Sequence, residues 1–186
     1  MAETTFKISF TLDEQDVSYF RRLFKKARLA AKDKEPSEVI ASAREMVVDV
    51  RGQSKVPRFV HEAISALEDL TDMIEDADYR APKPVISQVL GALAYFAEAD
   101  DLIPDHVPGL GFLDDAIMIK FVEREFKHEI SAFRRFKRFR DSAEQRPWTS
   151  VARQRLPNRL EEQRKKLRAE VDRKRKADES KGRMGL

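Results

Sequence analysis

The sequence predicts an all-α fold, a small bundle of about five helices with a short N-terminal β-strand and a charged C-terminal helical tail. Apolar residues recur at helical spacing in five segments, and Pro, Gly and Asp punctuate the gaps between them. Only one run alternates with the period of two that a half-buried strand needs. At 186 residues the chain holds one core and an appendage, divided here into a body, residues 1–145, and a basic, solvent-exposed tail, residues 146–186, helical or partly disordered.

The alternating run is Phe6-Lys7-Ile8-Ser9-Phe10-Thr11-Leu12, which puts Phe6, Ile8, Phe10 and Leu12 on one face. A lone strand needs a partner, within the chain or across a homodimer. Thr11 to Glu14 then matches a capping box at the start of a first helix. Val17, Phe20, Phe24 and Ala27 form its apolar stripe, and Arg21, Arg22, Lys25 and Lys26 make its outer face basic. A second helix opens at Pro36, carries Ile40, Ala43, Val47 and Val50, and ends where Gly52 suits a left-handed cap.

The third helix opens near Pro57, aligns Val60, Ile64, Leu67, Thr71 and Ile74, and stops before Pro82 and Pro84. Its end is acidic, with Glu68, Asp69, Asp72, Glu75, Asp76 and Asp78. Carboxylates there oppose the helix dipole, so the cluster is mildly unfavourable locally and calls for compensation. Val85 to Ala97 is apolar nearly all round, which predicts a buried helix at the centre of the bundle. A long helix from Leu113 to Arg140 follows the next loop, with Ile119, Val122, Phe126, Ile130 and Phe133 on one stripe. Phe136 and Phe139 drift off it.

Without cysteine there is no disulfide, thiolate nucleophile or Cys-ligated zinc, in keeping with a reducing compartment. The N-terminus has no secretion-signal pattern, and no run approaches the roughly 20 apolar residues that span a bilayer, so the expected address is cytoplasmic. The net charge of +3 hides an asymmetry. Residues 146–186 hold 14 Lys/Arg against 6 Asp/Glu, whereas the body holds 22 against 27.

The loop between the fourth and fifth helices is the most distinctive segment. Ala92-Leu93-Ala94-Tyr95-Phe96, Asp101-Leu102-Ile103-Pro104-Asp105 and Pro108-Gly109-Leu110-Gly111-Phe112-Leu113-Asp114-Asp115 stand in order. This pattern, from about Gly91 to Glu123, resembles the YkvA-like domain of unknown function found in many bacterial proteins. One departure is Ala99, where members often have proline two positions before the first Asp of the Asp-Leu-Ile-Pro-Asp motif. The resemblance implies a helix–loop–helix scaffold and brings no activity, cofactor or partner with it.

Physically, Pro104 and Pro108 stiffen this loop, while Gly109 and Gly111 permit positive φ or close backbone approach. Asp101 and Asp105 suit caps and Asx-turns, and Asp114 and Asp115 fall in the favourable first turn of the next helix. The sharper alternative is that Asp101, Asp105, Asp114 and Asp115 converge on a hard cation such as Mg²⁺ or Ca²⁺, although no EF-hand spacing is present.

Other chemistry is sparse. Glu125-x-x-His128 has the spacing of a di-iron bundle motif, but such sites need a second copy and none exists. His61 and His106 form no recognisable triad, there is no Walker loop, and Gly109-Leu110-Gly111 is too short for a dinucleotide fingerprint. No catalytic residue and no cofactor are expected.

The basic segments offer a nucleic-acid surface. Arg134, Arg135, Lys137, Arg138 and Arg140 interleave with Phe133, Phe136 and Phe139, and the tail adds Lys165, Lys166, Arg173, Lys174, Arg175 and Lys176. Against this, the phenylalanines suit a core and the cations its solvated rim. In the tail, Glu161/Lys165, Glu162/Lys166, Glu170/Lys174 and Asp172/Lys176 are helix-stabilising acid-before-base pairs. The tail's partner is nucleic acid, an anionic membrane surface or the body's own acidic cluster.

Three functions follow: a non-enzymatic helical interaction or scaffold protein, self-pairing through the strand or binding an unknown protein; an RNA- or ribosome-associated protein using the basic helix end and tail; and a divalent-metal site in the Asp101–Asp115 loop.

Overall fold

The computed structural model describes residues 11–30, 34–53, 56–97, 103, 107, 111–144 and 150–184. Among them are seven α-helices and no strand: α1 (Glu14–Ala30), α2 (Pro36–Gly52), α3 (Arg58–Glu75), α4 (Lys83–Leu93), α5 (Leu113–Glu125), α6 (Lys127–Glu144) and α7 (Ser150–Met184). A short 3₁₀ turn, Ala94–Ala97, follows α4. The expected strand, Phe6–Leu12, lies outside the described residues except for Thr11 and Leu12, which belong to no regular element.

The N-terminal cap of α1 sits two residues later than the Thr11–Glu14 box. Asp13 Oδ1 accepts from the amides of Gln15 at 2.7 Å and Asp16 at 2.9 Å, while Asp16 Oδ2 accepts from the Asp13 amide at 3.0 Å. This reciprocal pair does what the Thr/Glu box would do, with aspartates in both roles. Helix α2 begins at Pro36 as expected, but Gly52 is its last residue and is not left-handed. The chain leaves through extended Gln53, whose amide donates to the Val50 carbonyl at 3.3 Å.

The centre of the bundle is α3, and this corrects the place assigned to α4. Val60, Ala63, Ala66, Leu67, Leu70 and Thr71 are fully buried, because α3 packs against α2, α4, α5 and α6. The hydroxyl of Thr71 is satisfied within the helix, donating to the Glu68 carbonyl at 2.9 Å. Helix α4 buries Val89, Ala92 and Leu93 but leaves Val85, Ile86 and Leu90 only half-buried. Its all-round apolarity is therefore only partly used by the core.

The expected long helix divides at Phe126 into α5 and α6, which accounts for the larger helix count. Phe126 has φ −101° and ψ 18°, yet the backbone ladder continues on both sides, from Phe126 N to Val122 O and from Ile130 N to Phe126 O, each 2.9 Å. No proline or glycine marks the break, so hydrophobic periodicity runs straight through it. Beyond it α6 is packed on two sides, by α3 and by α7. Phe136, off the original stripe, is fully buried there, and Tyr79 packs edge-on to both Phe133 and Phe136 at 5.2 and 5.3 Å.

Helix α7 runs 35 residues, about 52 Å at 1.5 Å per residue, and passes through Pro157. It lies antiparallel on α6, with Leu167 fully buried, Leu160 nearly so, and Leu156 and Val171 partly covered. One face of the segment expected to be solvent-exposed is thus part of the core. The four leucine and valine positions span only a narrow arc of the helix, which is why so few apolar residues suffice to seat it. No described helix is long and apolar enough to cross a membrane.

Candidate functional site

The structure gathers the sequence's charged features into one system centred on the acidic end of α3. Arg44 on α2 pairs with Glu75 at 2.6 Å and Asp72 at 3.3 Å, and Arg51 pairs with Glu68. From the other side α6 supplies Arg134 to Asp69 at 2.5 Å and Lys137 to Asp72 at 3.1 Å. Arg140 reaches both oxygens of Asp76, at 3.0 and 2.8 Å, and Asp78 at 3.2 Å. These are the compensating cations that the unfavourable carboxylates require, arriving from two neighbouring helices.

Asp76 is the hub. It is the C-cap residue of α3, and its Oδ1 accepts from the amides of Asp78 at 2.9 Å and Tyr79 at 2.7 Å, forming an Asx-turn. Arg80 follows in the left-handed region at φ 50°. Burial tends to lower the Arg140 pKa, but hydrogen bonding to Asp76 and Asp78 raises it overall. Burial pushes the Tyr79 phenol up to about 12.

Helix α7 closes over this turn. Arg164 donates to the Asp78 carbonyl at 2.9 Å, and Arg168, one turn later, donates to the Tyr79 carbonyl at 3.3 Å. Further along, Arg135 holds Glu170 at 2.7 Å, Arg175 holds the buried Glu129 at 3.2 Å, and Asp178 meets Lys127 at 2.5 Å and His128 at 2.9 Å. Lys174, with Arg135, draws Glu170 down to about 2, and Lys127 and His128 do the same for Asp178. The body's acidic cluster thus meets α6 by side chains and α7 through carbonyls of the turn.

The candidate nucleic-acid residues divide accordingly. Arg134, Arg135, Lys137 and Arg140 are engaged inside the molecule, Lys137 and Arg140 also lying 5.4 and 5.8 Å from the Phe133 and Phe136 ring centres. In the tail, Lys165 pairs with Glu161, Lys174 with Glu170 and Arg175 with Glu129. Arg138, Lys166, Arg173 and Lys176 are exposed with no carboxylate partner among the described residues.

The loop is described only in part. Asp101, Pro104, Asp105, His106, Pro108 and Gly109 lie outside the described residues. Asp114 and Asp115 are buried in the first turn of α5, as the sequence placed them, behind Phe112, which is left-handed at φ 63°. Asp114 Oδ2 accepts from the Ile103 amide at 3.2 Å, and the Gly111 amide donates to the Val107 carbonyl at 2.8 Å. One loop aspartate therefore ties the loop to the helix start. Among the described residues no group of three or more His, Asp or Glu is placed to hold a metal ion. Glu125 and His128 go separate ways, to Arg28 at 3.1 Å and to Asp178. His61 is exposed.

What sequence reasoning missed is the role of Asp76 and of Arg164 and Arg168. Asp76-x-Asp78 just before a proline pair is a legible turn signal. Nothing local marks Arg164 and Arg168, because their acceptors are backbone carbonyls of a distant turn.

Residues 85–121, from α4 to the middle of α5, match the family described as "Protein of unknown function (DUF1232)". This is the segment with the YkvA-like pattern. No curated protein and no solved structure matches the chain. The likeness covers α4, the loop after it and the first part of α5, about a fifth of a helical domain centred on α3, and α1 to α3, α6 and α7 lie outside the matched segment.

Proposed function

We propose that the protein is a non-enzymatic helical interaction module of the cytoplasm whose contact face is one exposed flank of α7. The observation that supports this is the distribution of its cations. Most of those on α6 are neutralised internally, whereas Arg155, Arg159, Lys166 and Arg173 are exposed on α7 without a carboxylate partner among the described residues, Arg159 lying 5.6 Å from the Phe139 ring centre. Their spacing of four, seven and seven residues keeps them within about 40° of one another on the helix, in a row roughly 27 Å long, with Glu162 and Ala169 in the gaps. A rigid row of this kind suits an acidic protein surface. A second reading is RNA, since the same row can track a phosphate backbone.

Fluorescence anisotropy with a labelled polyglutamate peptide and a labelled single-stranded RNA, at two salt concentrations, tests both. Binding that weakens with salt and falls about tenfold in Lys166→Glu/Arg173→Glu supports the face. Failure of both probes overturns it, and RNA binding untouched by the double variant removes the second reading. Truncation is a poor substitute, because removing α7 uncovers α6. Self-association through Phe6–Leu12 belongs to the same proposal, and a monomer mass by light scattering of the full chain would remove it.

A further inference from the structure

Helix α1 is seated by one face only. Phe20 and Ala27 are buried, Leu23 and Phe24 are half-buried against the core, and the Phe20 ring packs on that of Phe121 in α5 at 5.7 Å. The opposite face is open. Tyr19, Arg22, Lys26 and Leu29 are exposed there, and their spacing of three, four and three residues keeps them within about 80° of one another, in a strip roughly 15 Å long. Lys25 and Arg21, also exposed, widen the strip on one side.

None of these four cations has a carboxylate partner among the described residues, unlike Arg28 on the same helix, which pairs with Glu125. The carboxylates of α1, Glu14 and Asp16, are confined to its first turn, where Asp16 accepts from the Asp13 amide. From Val17 to Ala30 the helix carries none.

Cations alone suit any polyanion, and the other two side chains of the strip decide among them. Leu29 is 57% exposed and Tyr19 40%, so both gain by leaving water. A single-stranded nucleic acid stacks its bases on aromatic faces, but Arg22 already lies over the Tyr19 ring, 5.9 Å from its centre, and Leu29 offers a phosphate nothing. The same face of a second copy repels it. At an anionic bilayer, by contrast, the cations meet phosphate headgroups, a tyrosine sits at headgroup depth and a leucine enters the acyl boundary.

We infer that the open face of α1 docks on an anionic membrane surface, with Arg21, Arg22, Lys25 and Lys26 on the headgroups and Tyr19 and Leu29 in the interface. The contact is peripheral, since no described helix is long and apolar enough to cross a membrane. It shares no residue with the α7 row and stands or falls independently of it.

Sedimentation of the full-length protein with sucrose-loaded vesicles tests this. Vesicles of equal parts phosphatidylglycerol and phosphatidylcholine are expected to carry the protein down in a salt-sensitive manner, and vesicles of phosphatidylcholine alone are not. Each cation near such a surface contributes about fivefold in partitioning, so Lys25→Gln/Lys26→Gln, which keeps helix propensity, is expected to weaken binding by at least about tenfold. Lys166→Glu/Arg173→Glu, on α7, is expected to bind as the wild type does. Because the chain has no cysteine, a polarity-sensitive dye can be attached at one introduced position. Its emission is expected to shift to the blue on anionic vesicles at Leu29→Cys and to stay unchanged at Ala169→Cys, in the α7 row. Failure to sediment with anionic vesicles overturns the proposal, as does wild-type binding by the α1 double variant or a shift at position 169 in place of 29. Loss of RNA binding in the α1 double variant, with vesicle binding intact, also overturns it.

Discussion

Arg140 donates to Asp76 at 2.8 Å across 64 residues of sequence, joining the turn after α3 to the C-terminal part of α6. The Asp76 side chain is only 8% exposed and that of Arg140 20%, so little water competes for the pair. The same carboxylate shapes its own turn, and its loss therefore has two consequences where the loss of Arg140 has one.

Arg140→Ala is expected to lower stability by about 2 kcal/mol and Asp76→Ala by about 3, since either leaves a largely buried charge without its main partner. Urea denaturation of both single variants and the double variant measures this. A double variant as unstable as the sum of the singles would show that the pair is not coupled.

Leu167 decides whether α7 belongs to the core. Leu167→Ala removes a fully buried side chain and is expected to cost about 2–4 kcal/mol. Lys166→Ala, its exposed neighbour, is expected to change stability by less than about 0.5 kcal/mol. Thermal melts that put both variants at the wild-type midpoint would contradict the packing of α7.

Acid should loosen α7. Glu170 and Asp178 titrate at about 2 in the folded protein against ordinary values of 4.5 and 3.8. Depressed carboxylate pKa values contribute stability that is fully present above the ordinary values and is lost as pH falls toward about 2. The amide protection factors of α7, taken against the intrinsic exchange rate at each pH, are expected to fall across that window. Glu170→Gln/Asp178→Asn should reduce the pH dependence and leave α7 less protected at neutral pH.

Asp114 ties the loop. Asp114→Ala deprives the Ile103 amide of its acceptor and the α5 start of a favourable charge, at an expected cost of about 1–2 kcal/mol. Hydrogen exchange at Ile103 is the local readout, and exchange as slow as in the wild type would show that the bond does not hold the loop.

High pH reports on Tyr79. With its phenol pushed up to about 12 by burial, one of the three tyrosines is expected to ionise well after pH 10 in an absorbance titration. A raised pKa of this kind contributes stability below pH 10 that disappears as pH climbs through 12. Tyr79→Phe should delete the late step.

By itself the sequence determined that the chain is helical, where α2 and α3 begin, that Asp114 and Asp115 open a helix, and that the end of α3 carries an acidic cluster the helix dipole disfavours. Each of these depends on neighbours within a few residues: a proline at a helix start, a charge at a helix end, an apolar residue every third or fourth position. Tertiary structure alone decided which cations answer the α3 carboxylates, because Arg44 and Arg140 come from helices that only folding brings alongside. It also decided that the helix after the loop breaks at Phe126 and that Leu160 and Leu167 seat the basic tail on α6. Last, it left one side of α4 facing a cleft. Periodicity reports that a face is apolar; only the arrangement of its neighbours determines what covers it.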